Sequence, residues 1–117
     1  MHLFTKDTVI IMTTLFVSRH PGAIEWMKHQ EVRVDRWLTH LNIEDVNAGD
    51  VVIGTLPMHM AAAVCAKGAR FVSLEISLSE AGRGRELSQA DMEGFRCTLC
   101  EYAVVRLKTP ASLPCGV

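Results

Sequence analysis

Two short segments of this chain carry residue types that phosphate chemistry uses: Ser18-Arg19-His20-Pro21-Gly22 and Gly54-Thr55-Leu56-Pro57. In the first, Ser18 offers a hydroxyl, Arg19 a planar and permanently charged cation, and His20 a group that exchanges a proton near neutral pH. Pro21 and Gly22 suit the first turn of a helix, whose free N–H groups attract an anion. In the second, Gly54 permits close backbone approach, Thr55 supplies another hydroxyl, and after Leu56 Pro57 can open the next helix. Each segment also has a plainer reading. Ser-x-x-Pro-Gly serves equally as turn chemistry, with Ser18 a local cap and Arg19 and His20 solvated. A Gly and a Pro around a strand end are routine.

Other residues are weaker candidates. Gly82-Arg83-Gly84-Arg85 is too glycine-rich for a stable helix, so Arg83 and Arg85 are expected on a flexible loop, where they read as solvated cations. Cys97-Thr98-Leu99-Cys100 has the spacing of half a zinc site, but the chain offers no second pair, and no metal is expected. His29, His40 and His59 stand alone and read as surface or interface groups. Trp26 and Trp37 read as core or subunit-contact residues rather than stacking platforms.

The elements that must position the two segments follow from changes in hydrophobic period. Thr14-Leu15-Phe16-Val17-Ser18 is a continuous apolar run ended by Pro-Gly, the pattern of a strand covered on both faces in a parallel sheet. A helix follows from Pro21 to near Gln30, with Ile24 and Met27 on one side. Val32 to Leu41 alternates, placing Val32, Val34, Arg36, Leu38 and His40 on one face, and predicts an outer strand. Asn42 to Asp50 reads as a loop with one helical turn at most. Val51-Val52-Ile53 is a second buried strand, leading into a helix with Met60, Ala61, Val64 and Cys65 on its apolar face and Gly68 as its C-cap.

Phe71 to Leu78 alternates again, with Val72, Leu74, Ile76 and Leu78 on one face and Ser73, Glu75 and Ser77 on the other. Ser88 with Asp91 forms a capping-box pattern for a last helix to about Leu107, in which Met92, Phe95, Leu99 and Tyr102 share a face. The alternation predicts a single α/β domain, a Rossmann-like, mainly parallel sheet with helices on both faces. In such sheets ligands bind beyond the carboxyl ends of the strands, where both candidate segments fall. The expected division is an N-terminal extension over residues 1–12 that need not be native, with Met12 a candidate natural start. The domain then spans 13–108, and a proline-bearing flexible tail covers 109–117.

Composition narrows the partners. The chain has 117 residues, enough for one core. With 49% hydrophobic residues, 21% charged residues and a net charge of −1, it suits a globular fold and not the bulk grip of duplex nucleic acid. Any anionic ligand must be small and met by a few arginines. Its four cysteines cluster late and read as reduced thiols, and no stretch has a signal-peptide pattern or the roughly 18 apolar residues of a membrane span. A cytoplasmic protein without membrane contact is expected.

The run Thr14-Leu-Phe-Val-Ser-Arg-His-Pro-Gly-Ala-Ile-Glu-Trp-Met27, then Gly49-Asp-Val-Val-Ile-Gly-Thr-Leu-Pro57, Ala62 through Cys65 to Gly68-Ala69-Arg70, and Arg83-Gly-Arg-Glu-Leu87, resembles small CRISPR-associated proteins of type III systems. The likeness spans about residues 13 to 90, with Ser-Arg-His-Pro-Gly-Ala and Ile-Gly-Thr-Leu-Pro its most specific parts. It implies a CARF-like fold and a homodimeric stand-alone ring nuclease. That enzyme would cut cyclic tetra-adenylate without metal or cofactor, by attack of a ribose 2′-hydroxyl, and so end antiviral signalling. Under that reading His20 moves a proton, Arg19 clamps a phosphate, and Ser18 and Thr55 orient it. Pro21, Gly22, Gly54, Leu56, Arg83 and Arg85 complete the binding set. The alternatives are a non-catalytic protein that sequesters the same messenger and a protein-binding adaptor.

Overall fold

An uninterrupted apolar strand is stable only when both of its faces are covered, and the fold supplies both covers. The computed structural model describes residues 12–77, 96–108 and 110–115. Its elements are β1 (Thr14–Val17), α1 (Pro21–Lys28), β2 (Arg36–Leu38), a 3₁₀ turn (Ile43–Asp45), β3 (Val51–Gly54), α2 (Met58–Ala66), β4 (Arg70–Ser77) and β5 (Arg96–Tyr102). Successive side chains of β1 and β3 enter opposite layers. Phe16 and Ile53 pack with Ala23 and Met27 of α1, while Leu15, Val17 and Val52 pack with Ala61 and Val64 of α2. Phe16, Leu15, Met27, Val52 and Val64 are fully buried. Each such large apolar side chain contributes about 1.5–3 kcal/mol from its removal from water.

The strands lie in the order β2-β1-β3-β4-β5; the first four are parallel and β5 runs antiparallel to β4. The Rossmann-like α/β reading therefore stands. Pro21 occupies the first turn of α1 as its fixed φ predicts. At the end of α2, Ala69 N–H reaches the Val64 carbonyl at 3.2 Å and Gly68 N–H the Cys65 carbonyl at 3.0 Å, with Gly68 at φ +83°. That is a Schellman closure, and it explains the glycine.

Two expectations are corrected. Residues 96–102 are a strand, not part of a last helix, and residues 103–108 form no helix either. Pairing with β4 sets Leu99 opposite Leu74 and Cys97 opposite Ile76, on the layer shared with α1. Long-range pairing thereby overrides a local helical spacing. The proposed cap, Ser88 with Asp91, lies outside the described residues. The second correction concerns the outer strand. It is confined to Arg36–Leu38, and Val34 and Leu38 pack into opposite layers instead of one. Asp35 breaks the alternation: its carboxylate accepts the Thr14 N–H at 2.8 Å while its own N–H donates to the Thr14 carbonyl at 2.8 Å.

The amino ends of the strands are tied by Asp50, which is buried. Its carboxylate accepts Thr13 N–H at 3.1 Å and Asn47 N–H at 2.9 Å, and its carbonyl accepts Arg70 N–H at 2.8 Å. On the β4–β5 ribbon, Arg70 makes a bidentate pair with Glu101 at 2.9 and 2.7 Å, and Tyr102 donates to Glu75. The hydrogen bond from Arg70 holds the Glu101 carboxyl below its usual range, and the bond to Glu75 raises the Tyr102 hydroxyl. These groups are exposed, so they add little stability; what Glu101 adds is present at neutral pH and lost on acidification through its folded pKa.

At the carboxyl ends the contact is tighter. Gly54 sits beside Val17 at φ +152°, where a Cβ would come to 2.3 Å from the Val17 carbonyl oxygen. Gly54→Ala is therefore expected to lower stability by about 3 kcal/mol. Asp50→Ala, which removes the charged acceptor of two part-buried N–H groups, is expected to cost about 2 kcal/mol. Urea midpoints of the purified variants check both, and wild-type midpoints would contradict this packing.

Candidate functional site

Reversal of strand order opens the site. From β1 the chain leaves through α1 to β2 on one side, then crosses to β3 on the other. The turns after β1 and β3 so part toward opposite faces and leave a crevice between them. Two clefts occupy it. One of about 430 Å³, on the α1 face, is lined by Ser18, Arg19, His20, Thr55, Leu74 and Ile76 among others. The second, about 280 Å³ on the α2 face, is lined by Ser18, Arg19, His40, Thr55, Leu56 and Met60 among others. Val17, Ser18, Arg19 and Thr55 are common to both and form the rim between them.

Each rim residue is held by local geometry. Ser18 N–H donates to the Leu38 carbonyl at 2.9 Å, which extends the β1–β2 pairing to the turn. Its Oγ accepts His20 N–H at 3.0 Å, a local serine turn ahead of the helix and not a cap of it, and the hydroxyl proton remains available to a ligand. Arg19 is exposed and makes no ion pair among the described residues. His20, half-buried, is the N-cap of α1 at φ −92°, ψ 112°; among the described residues no side chain caps that helix, whose Pro21 is exposed and Gly22 buried. Thr55 is exposed and its Oγ1 donates to the Leu74 carbonyl at 3.4 Å, a long, weak bond from which the hydroxyl proton can turn to a stronger acceptor such as a phosphoryl oxygen. Leu56 packs against the α2-side core.

The charge balance is one-sided. No Asp or Glu lines either cleft among the described residues, while Arg19 and the uncapped α1 terminus supply positive potential. A near-neutral protein thus carries local positive potential at this rim. Its walls there are apolar, Leu74 and Ile76 on one side and Leu56 and Met60 on the other. A larger groove, about 470 Å³, runs along α2 beside Val104–Arg106. It contains none of the rim residues, and its Lys67 ammonium already donates to the Ile43 carbonyl at 2.8 Å.

Sequence reasoning therefore brought together Ser18, Arg19, His20, Thr55 and Leu56, with Gly54 as the close-approach residue. Arg83 and Arg85 lie outside the described residues. It missed His40 and Thr39, which line the α2-side cleft. The available signal was position: both follow the carboxyl end of β2, as Arg19 and His20 follow that of β1. Cys97 and Cys100 alternate to opposite faces of β5, so they cannot jointly chelate one ion. No disulfide joins any of the four cysteines, and burial pushes the Cys97 thiol up, toward the inert form. Trp26 is partly buried against the α1-side core, and Trp37 meets Phe16 edge-on at 5.4 Å. Among the described residues no helix is long and apolar enough to cross a membrane.

No curated protein and no solved structure matches the chain. Residues 15–105 match the protein family described as "Putative CRISPR-associated protein (Cas_VVA1548)". That span contains both candidate turns and every strand from Leu15 onward, and it runs past the limit near residue 90 that the sequence resemblance suggests. The chain belongs to this CRISPR-associated family.

Proposed function

We propose that the protein is a ring nuclease that binds cyclic tetra-adenylate at the β1–β3 rim and opens it by metal-independent attack of a ribose 2′-hydroxyl. The observation that carries this reading is the convergence of Arg19 and Thr55, from turns 36 residues apart in sequence, on the same two clefts. Membership of a CRISPR-associated family supports an antiviral setting for such a ligand. The ring has four phosphates and four bases, and a two-fold homodimer would present two copies of the rim to it.

In the reaction, O2′ loses its proton and bonds to the adjacent phosphorus. The P–O5′ bond breaks, and O5′ leaves with a proton, giving a 2′,3′-cyclic phosphate and a free 5′-hydroxyl. Arg19 and the α1 N–H groups neutralise charge on the phosphoryl oxygens, Ser18 and Thr55 orient them, and His20 moves one of the protons.

Incubation of the protein with labelled cyclic tetra-adenylate in EDTA tests this: linear di- or tetra-adenylate with cyclic phosphate ends is expected. Intact ring retained on the protein would reassign it as a sequestering protein, and absence of binding would leave only a protein-contact role. Arg19→Ala, which removes an exposed side chain, should keep stability within about 0.5 kcal/mol. It should weaken ring binding by about tenfold or more. His20→Ala should still bind but cut about 10²-fold more slowly or worse. Unchanged cutting by His20→Ala would remove that assignment.

A further inference from the structure

Displacement at phosphorus requires the attacking and leaving oxygens to lie in line, on opposite sides of the phosphorus. A base for O2′ and an acid for O5′ must therefore also lie on opposite sides. Arg19 marks where the phosphate would sit, because among the described residues it is the rim cation shared by both clefts. His20 lines the cleft on the α1 side of that rim, with Ala23 and Leu74; His40 lines the cleft on the α2 side, with Leu56 and Met60.

Resting on the phosphodiesterase reading above, we propose that His40 is the second proton-transfer group of the site, partnered with His20 across Arg19. One imidazole takes the O2′ proton while the other, as imidazolium, gives a proton to O5′. The bond made is O2′–P, the bond broken is P–O5′, and the two histidines exchange protonation states, so no co-reactant is needed. The shortness of β2 makes this placement possible. The strand ends at Leu38, and Thr39 and His40 turn out of the sheet toward the rim instead of continuing an outer edge. His40 is exposed, which suits a group that must re-equilibrate its proton with water. Among the described residues, Arg19 of the β1–α1 turn is the charged group facing it. The β3–α2 turn contributes Thr55, Leu56 and Pro57, and α2 contributes Met60, none of them titratable near neutral pH.

The test compares wild type, His40→Ala and His40→Gln on cyclic tetra-adenylate across pH 5–9. Wild type should show a bell-shaped rate profile. Both variants should bind the ring with wild-type affinity, turn over about 10²-fold more slowly and lose one limb of the bell. Added imidazole should restore part of the His40→Ala rate. A ring with sulfur in place of the bridging O5′, whose leaving group needs no proton, should restore the variants if His40 is the acid. It should leave them slow if His40 is the base, and the lost limb must agree. Wild-type rates and both limbs in His40→Ala would overturn the role of His40, as would a loss confined to affinity. If wild type itself cuts no ring, the phosphodiesterase reading fails and the inference with it.

Discussion

The structure depends on how closely β1 and β3 approach at their carboxyl ends. Gly54 and Val17 are register partners, and no side chain fits between them: a Cβ on residue 54 would meet the Val17 carbonyl at 2.3 Å. The reversal of strand order occurs at this pair, so the chain leaves β1 toward α1 on one face and β3 toward α2 on the other. A bulkier residue would push the two turns apart and separate Arg19 from Thr55. The glycine thus acts on the site through backbone geometry, without offering a chemical group of its own.

Stability and site chemistry are placed at opposite ends of the strands. At the amino ends the buried Asp50 carboxylate gathers N–H groups from Thr13 and Asn47, while its main chain receives Arg70. Its charge is spent on fixed donors within the fold. At the carboxyl ends, among the described residues, the guanidinium of Arg19 has no acidic partner and α1 has no side-chain cap. That asymmetry gives a chain of net charge −1 a locally positive rim, the feature on which the proposed binding of a small anion rests.

Much of this was legible in the residues. β1, β3 and the two helices after them were readable because a continuous apolar run, a Pro at a helix start and a Gly at a helix end each have a local physical cause. The two rim segments were legible for the same reason: a strand-turn-helix boundary dictates where their side chains emerge. β5 was not. Phe95, Leu99 and Tyr102 fit a helical face as well as Cys97 and Leu99 fit a strand face, and pairing of Leu99 with Leu74 across the sheet decided the matter. No local window contains that pairing. The outer strand was read too long because Asp35, polar in either pattern, gave no sign that its carboxylate would take the Thr14 amide. With that strand overextended, His40 looked like an edge residue. Its place in the cleft appears only when β2 is seen to end at Leu38.

A crystal structure with the uncleaved ring bound, obtained with ribose 2′-O-methyl groups that block attack, tests the central claim most directly. The account predicts a phosphodiester within hydrogen-bond reach of both Arg19 and Thr55, with its flanking bases in the clefts beside Leu74 and Met60. Ring density along α2 beside Val104–Arg106, with the β1–β3 rim left solvated, would contradict it.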